Sequence, residues 1–428
     1  MPRAVRRIWI HSLIAVACLT LALLPFAPNP PSIVHAQTAA TDHLTYAGDQ
    51  SCLPCHKAES STYLHTAHHL SAQLPSHTSI LGAFTPPKNT LHITQQKTSD
   101  LAPNLLFRMD ATPTRFTETA ILSTPITSSK RTESIDLVIG SGTRGQTYLY
   151  WSSNKIDKSA KLFELPISYW TDGHQWINSP GYQDGTADFS RPVNARCLEC
   201  HTAYIRTLSP DPDDYLANSF DHTSLTPGIA CENCHGPAAA HVAFEQANAK
   251  LPAAARHSIS QQEAPTILNP AHFPRDRQVD QCALCHDGTQ SQQLQPAFTY
   301  LPNQPLDRYL TTDATTVSDT PDVHGNQVAL LKKSRCYLSS PTMSCGTCHN
   351  PHAPERPAAA YSDRCLTCHQ WQACGVSRTL GPSITHDCIS CHMPLQQTAA
   401  IVSITSGRIT HASIRTHWIK IYPQPSKN

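Results

Sequence analysis

The sequence lacks any surplus of positive charge: 32 lysines and arginines stand against 31 aspartates and glutamates. Nucleic-acid binders carry a basic footprint, so that class is excluded. A second long apolar run is also missing. Beyond the N-terminal segment, no stretch is long and apolar enough to cross a membrane as a helix. Glycine is scarce, at 16 residues, whereas proline reaches 35 of 428. Prolines in that number interrupt long helices and strands, so short elements and loops are expected. With an apolar fraction of 39%, part of the core must come from something other than side chains.

The one long apolar run lies at the start. Arg3, Arg6 and Arg7 precede Ile8–Phe26, and Val34-His35-Ala36 forms a small-x-small pattern before Gln37. This reads as an export signal over residues 1–36, with an uncleaved membrane anchor as the alternative. Contact with a membrane is expected only if the segment is retained. Its removal leaves 29 basic against 31 acidic residues, and a periplasmic or secreted location is expected.

Cysteine carries the strongest signal. Fourteen of 17 cysteines fall in seven copies of C-x-x-C-H. They are Cys52/Cys55/His56, Cys197/Cys200/His201, Cys231/Cys234/His235, Cys282/Cys285/His286, Cys345/Cys348/His349, Cys365/Cys368/His369 and Cys388/Cys391/His392. Chance would supply on the order of 0.04 copies from this composition. Two thiols at this spacing can add across the two vinyl groups of one haem, and the adjacent histidine is then held under the iron as proximal ligand. Zinc knuckles do not require a histidine after each pair, and a plain disulfide framework would not repeat it. Seven covalently attached c-type haems are therefore expected. Cys18 lies in the export signal, and Cys336 and Cys374 remain in the mature chain, either as a disulfide in an oxidising compartment or as two free thiols.

The residue opposite each proximal histidine decides between an electron carrier and an open, reactive iron. Sixteen histidines remain once the proximal seven, His11 and His35 are set aside. The distal candidates are His68, His241, His324, His352, His411 and His417. His65 and His69 share the expected helix of His68, and His272 and His386 rank lower. Met109 and Met343 are weaker substitutes. His43, His77, His92, His174, His222 and His257 are expected to serve no iron.

The motifs are unevenly spread. Between the first and second lie runs of alternating or clustered apolar and β-branched residues, at Leu105–Asp110, Ser134–Ile139, Thr147–Trp151 and Leu162–Trp170. Gly140, Gly142 and Gly145 match a nucleotide-loop pattern, but a strand rather than a helix is expected after them, so a hairpin loop is the better reading. Four segments follow: a signal over 1–36, a first haem segment over 37–84, an inserted antiparallel β unit over 85–190, and a six-haem domain over 191–428. The expected fold class is mainly short α-helices and loops wrapped around haems, with a small inserted antiparallel sheet. Helices are expected over Lys57–Gln73 and Pro237–Leu251.

Several stretches together resemble the cytochrome c-552/c-554-like group of the multihaem cytochrome c superfamily. They are Cys52–His69 with Tyr63, Thr66, His68 and His69, then Gly228–His241, then Met343–His352. Ile139–Gly142 and Glu164–Tyr169 within the inserted sheet are similar too, so the likeness covers most of residues 45–420. It implies that His68 is the ligand in its cluster and that His241 ligates a haem. It also implies a periplasmic electron-transfer role, although relatives include nitrite, hydroxylamine and tetrathionate enzymes. No C-x-x-C-K motif occurs, and seven motifs match neither four nor eight.

Two functions stay open on the sequence. One is a chain of bis-histidine haems passing electrons between a quinol-linked donor and a periplasmic or extracellular redox partner protein. The other is a multihaem oxidoreductase acting on a small nitrogen or sulfur oxyanion at one open iron, with His174 or Arg196 as proton donor or anion clamp.

Overall fold

The computed structural model describes residues 45–423 apart from 95–102, 154–159, 210, 212, 254–266, 289–290, 312–318, 322–325 and 355. The export signal therefore lies outside the described residues, as do His43, His257 and the candidate His324. Among the described residues no helix is long and apolar enough to cross a membrane.

Helix α1 (Lys57–Tyr63) follows the first motif and is succeeded by strand β1 (Ala72–Gln73). Then come β2 (Thr90–Ile93), β3 (Asn104–Ala111), β4 (Phe116–Ser123), β5 (Ser128–Ser134), β6 (Leu137–Ile139) and β7 (Gly145–Ser153). Strands β8 (Ala160–Glu164), β9 (Ile167–Trp170) and β10 (Gln175–Asn178) lead to helix α2 (Ala195–Glu199) within the second motif. After it run β11 (Thr202–Thr207), β12 (Phe220–Pro227), α3 (Cys231–His235), α4 (Ala239–Ala249) and α5 (Arg275–His286). The chain closes with α6 (Gln327–Lys332), α7 (Arg335–Ser339), α8 (Ala358–Leu366), α9 (Ser377–Leu380), α10 (Cys388–His392) and the hairpin β13 (Leu395–Thr405) and β14 (Arg408–Arg415).

Three antiparallel sheets result, one of eight strands, one of four (β2-β3-β4-β5) and the terminal hairpin. The expectation of a mainly helical protein is thereby overturned. Strands run well beyond the expected unit at 85–190: β1 precedes it, and β11 and β12 continue the large sheet after the second motif. The cause lies in side-chain chemistry. Thr202–Thr207 alternates buried and exposed positions in part, with Thr202 and Ile205 inward, and Leu395–Thr405 is rich in β-branched residues, which suit a pleated surface. The strands anticipated near 105–110, 147–151 and 162–170 are present, the last broken at Pro166 into β8 and β9. Gly140, at φ 101°, turns the β6–β7 hairpin. Helix α1 stops at Tyr63, short of Gln73, whereas α4 lies within the expected stretch.

Period-two alternation gives the large sheet two apolar faces. Val138, Tyr148 and Tyr150 pack with Phe107, Met109 and Phe116 of the four-stranded sheet. Leu137, Leu149 and Leu162 on the opposite face pack with Ala195 and Leu198 of α2. A third cluster joins Val279 and Ala283 of α5 to Val328, Leu331 and Tyr337. Among the described residues from Cys345 to His392, by contrast, Ile389 is the buried apolar side chain. Three C-x-x-C-H motifs thus share a stretch almost without an apolar core of its own.

The terminal hairpin docks on the sheet unit through one carboxylate. Asp184 Oδ1 accepts from the Ser406 amide (3.0 Å) and Oδ2 from the Gly407 amide (2.7 Å). Ser406 and Gly407 hold positive φ values of 52° and 75° at the turn. Asn178 adds bonds from its amide to Thr405 Oγ1 (2.9 Å) and from Nδ2 to the Ile404 carbonyl (2.7 Å). Replacing Asp184 by alanine should cost about 1–2 kcal/mol of stability, since two charge-assisted bonds at a partly wet site are lost. Urea unfolding would measure this, and an unchanged midpoint would refute the docking role.

Glu118 on β4 is fully buried opposite Met109. Burial pushes its carboxyl well above the ordinary range, partly offset by the backbone amide of Ile167. The folded chain therefore holds a proton that the unfolded chain releases as pH rises past the ordinary carboxyl value, so this group's contribution to stability is lost toward neutral pH. Glu118→Gln should melt above the wild type at pH 7 and converge with it in acid, which scanning calorimetry against pH would check.

Candidate haem sites

Each C-x-x-C-H motif is shaped locally as about one helical turn. The His56 amide bonds to the Cys52 carbonyl (3.0 Å), His349 to Cys345 (2.9 Å) and His369 to Cys365 (2.9 Å). That turn gathers two thiols and an imidazole in one place. Asn194 caps α2 by accepting from the Cys197 amide (3.1 Å). Gly228, at φ 74°, lies so close to the His69 carbonyl that a Cβ would sit 2.1 Å from that oxygen. This contact presses the approach to the third motif against the segment after α1.

Four proximal histidines face a second imidazole. His56 faces His241 with ring centroids 6.5 Å apart, His286 faces His68 at 6.1 Å, His235 faces His352 at 5.9 Å, and His349 faces His417 at 6.1 Å. An iron with metal–nitrogen bonds of roughly 2 Å on either side places two imidazole centroids about 6 Å apart. The separations therefore fit one metal between each pair.

Orientation and protonation agree with that fit. A ligating imidazole usually donates its other ring nitrogen to a carbonyl, which fixes its tautomer. His235 Nδ1 lies 2.8 Å from the Leu268 carbonyl, His392 Nδ1 3.0 Å from that of Lys420, and His417 Nδ1 3.3 Å from that of Arg415. Iron needs the neutral imidazole. Burial lowers His286 and His417 to about 4, and lowers His68 and His352 as well. The rings of His56, His68, His286 and His349 are nonetheless exposed. They line open space inside the fold, as side chains shaped around a macrocycle would. Together with the missing apolar core around the last three motifs, these features fit covalently held haem, which when bound supplies a one-electron Fe(III)/Fe(II) couple.

Of the distal candidates, the structure thus sets His68, His241, His352 and His417 opposite a proximal histidine. His411 on β14 turns Nδ1 toward the Thr398 carbonyl (3.3 Å). His69 packs edge-on to Tyr63 at 5.8 Å, and His65, His272 and His386 are exposed. Met109 is fully buried in the sheet core, and Met343 gives its carbonyl to Arg275 Nε (3.0 Å). His77 lies edge-on to Phe116, and His222 against Trp151. Cys336 and Cys374 are both free thiols.

Cys55, Cys368 and Cys391 are free thiols, as are the other eleven motif cysteines. Cys368 lies within electrostatic reach of Cys348 of the fifth motif. Cys55 and Cys368 are exposed, and Cys391 on α10 is half-buried. The Cys55 amide merely closes its own turn on the Cys52 carbonyl (3.2 Å), and Cys368 Sγ meets the adjacent Thr367 Oγ1 at 3.8 Å. Their assignment to haem therefore rests on the motif spacing and not on packing.

Polar ties between motifs escaped the sequence reading. Glu232, inside the third motif, accepts from the amides of Ala47, Gly48 and Ala238 at 2.8 Å each. Asp49 accepts from the Cys231 amide (2.8 Å), so the first and third motifs are locked together. Arg196 bonds to Glu199 and to the Leu284 carbonyl, joining the second motif to the fourth. Its guanidinium is thus committed between motifs, at odds with an anion clamp. His174 occupies a turn between β9 and β10 at φ 47°. Ser362 Oγ accepts from the Cys388 amide (3.0 Å), joining sixth to seventh. The signal available in advance was a charged residue inside a motif, at Glu199 and Glu232.

Comparison with known proteins follows the same line. The sequence profile of the family described as cytochrome c554 and c-prime matches residues 179–236, which hold the second and third motifs. No curated protein sequence matches this chain. The crystal structure of outer cell wall cytochrome OcwA is similar in fold, with a TM-score of 0.50 and 15% identity over 84% of this chain and 78% of that one. The motifs, the facing imidazoles and both likenesses converge on a multihaem c-type cytochrome with covalently bound haem.

Proposed function

We propose that this protein is an exported heptahaem electron carrier. Its haems would be bound at Cys52/Cys55, Cys197/Cys200, Cys231/Cys234, Cys282/Cys285, Cys345/Cys348, Cys365/Cys368 and Cys388/Cys391. The facing imidazole pairs carry this reading. An iron with a strong ligand on both sides exchanges electrons and offers no position to a substrate. The commitment of Arg196 to Glu199 and Leu284 weighs in the same direction. The donor would be a quinol-linked redox protein and the acceptor a periplasmic or extracellular one. Location outside the cytoplasm rests on the N-terminal sequence.

Haem quantification with low-temperature EPR and near-infrared magnetic circular dichroism of the oxidised holoprotein tests the proposal. Seven haems per chain are expected, with low-spin bis-histidine signatures at no fewer than four. A ratio well below seven, or fewer than four such signatures, would overturn it. His417→Ala should move one haem in seven to high spin at unchanged haem content. A spectrum identical to wild type would remove His417 from the ligand set.

A further inference from the structure

The fourth motif meets more of the other motifs than a linear order requires. Cys282 lies within electrostatic reach of Cys345 of the fifth motif, and Cys285 of Cys200 of the second. Gln281 Nε2 donates to the Cys234 carbonyl of the third (2.9 Å). Side chains reinforce each meeting: Arg196 reaches the Leu284 carbonyl, and Ser344 Oγ, beside Cys345, donates to Gln278 Oε1 on α5 (2.7 Å). His286 lies within electrostatic reach of His201 and His349, in addition to the His68 that faces it. The outlying motifs connect more simply. Cys52 contacts Cys231, and Cys365 lies within reach of Cys348 and Cys388.

We propose that the fourth motif is a three-way junction, from which one arm runs through the third motif to the first, a second arm is the second motif alone, and a third runs through the fifth and sixth to the seventh. Motifs tied this closely would bring the haems that they carry near one another. Haems on motifs 2, 3 and 5 would then all border the haem on motif 4. Each transfer moves one electron, oxidising one iron as its neighbour is reduced, with no bond made or broken. A reduced low-potential redox protein supplies the electron in service, and dithionite supplies it in the test. The purpose of the junction rests on the electron-carrier reading, but its geometry is testable separately.

His68→Met should raise the potential of the fourth haem, because methionine ligation does so. That haem then takes the first electron and becomes diamagnetic. EPR at the potential where one haem in seven is reduced should show altered signals from three other haems. The parallel variant His241→Met marks the first haem and should alter one. Perturbation of two or fewer haems by His68→Met would make the order linear and overturn the junction. Should that variant fail to load seven haems, Arg196→Gln gives a second check. It should relieve magnetic coupling of one haem pair while haem content stays at seven, and unchanged coupling would count against the second arm. A low haem ratio in the wild type would instead sink the electron-carrier reading itself.

Discussion

Two imidazoles held facing each other about 6 Å apart are the constraint on which the rest depends. Such a gap is unfavourable in an ordinary interior, where side chains close up to crystal-like density. Here the gaps are kept open by elements from different parts of the chain, each braced by a backbone carbonyl on the far ring nitrogen or by ties between motifs. The β layers then act as the rigid member. Their two apolar faces pack independently of any cofactor, and α2 and the terminal hairpin are fastened to them.

Two kinds of core coexist as a result. Around β2–β10, Phe107, Tyr148 and Trp176 exclude water in the usual way. Around the last three motifs, polar ties such as Ser362 to Cys388 set the spacing and leave the filling to macrocycles. Short-range covalent geometry fixes each haem to its own motif, while longer-range hydrogen bonds decide which motifs are neighbours.

Legibility in the sequence followed that division. The C-x-x-C-H copies are purely local, and they could be read directly. His68, His241, His352 and His417 were recognisable as candidates because each follows a motif or sits in a histidine-bearing stretch, but their partners were not. Nothing in the sequence near His56 points to His241, because two side chains brought face to face by the fold share no periodic pattern. The strands β11, β12, β13 and β14 did carry alternation or β-branched residues. They were passed over because a haem-bearing chain was expected to be helical. Glu199 and Glu232 look like ordinary polar fillers inside their motifs, and only the fold reveals what their carboxylates hold.

The facing pairs also impose an order in time. Thioether attachment needs five consecutive residues, so each motif is competent as soon as it is made. Facing needs a distant segment. His56, His235 and His349 must wait for His241, His352 and His417, all of which are synthesised after them. His286 alone among the four finds its partner, His68, already present. The pair His56–His241 is therefore the first that can close, followed by His286–His68, and the pairs of His235 and His349 close only as the later chain arrives.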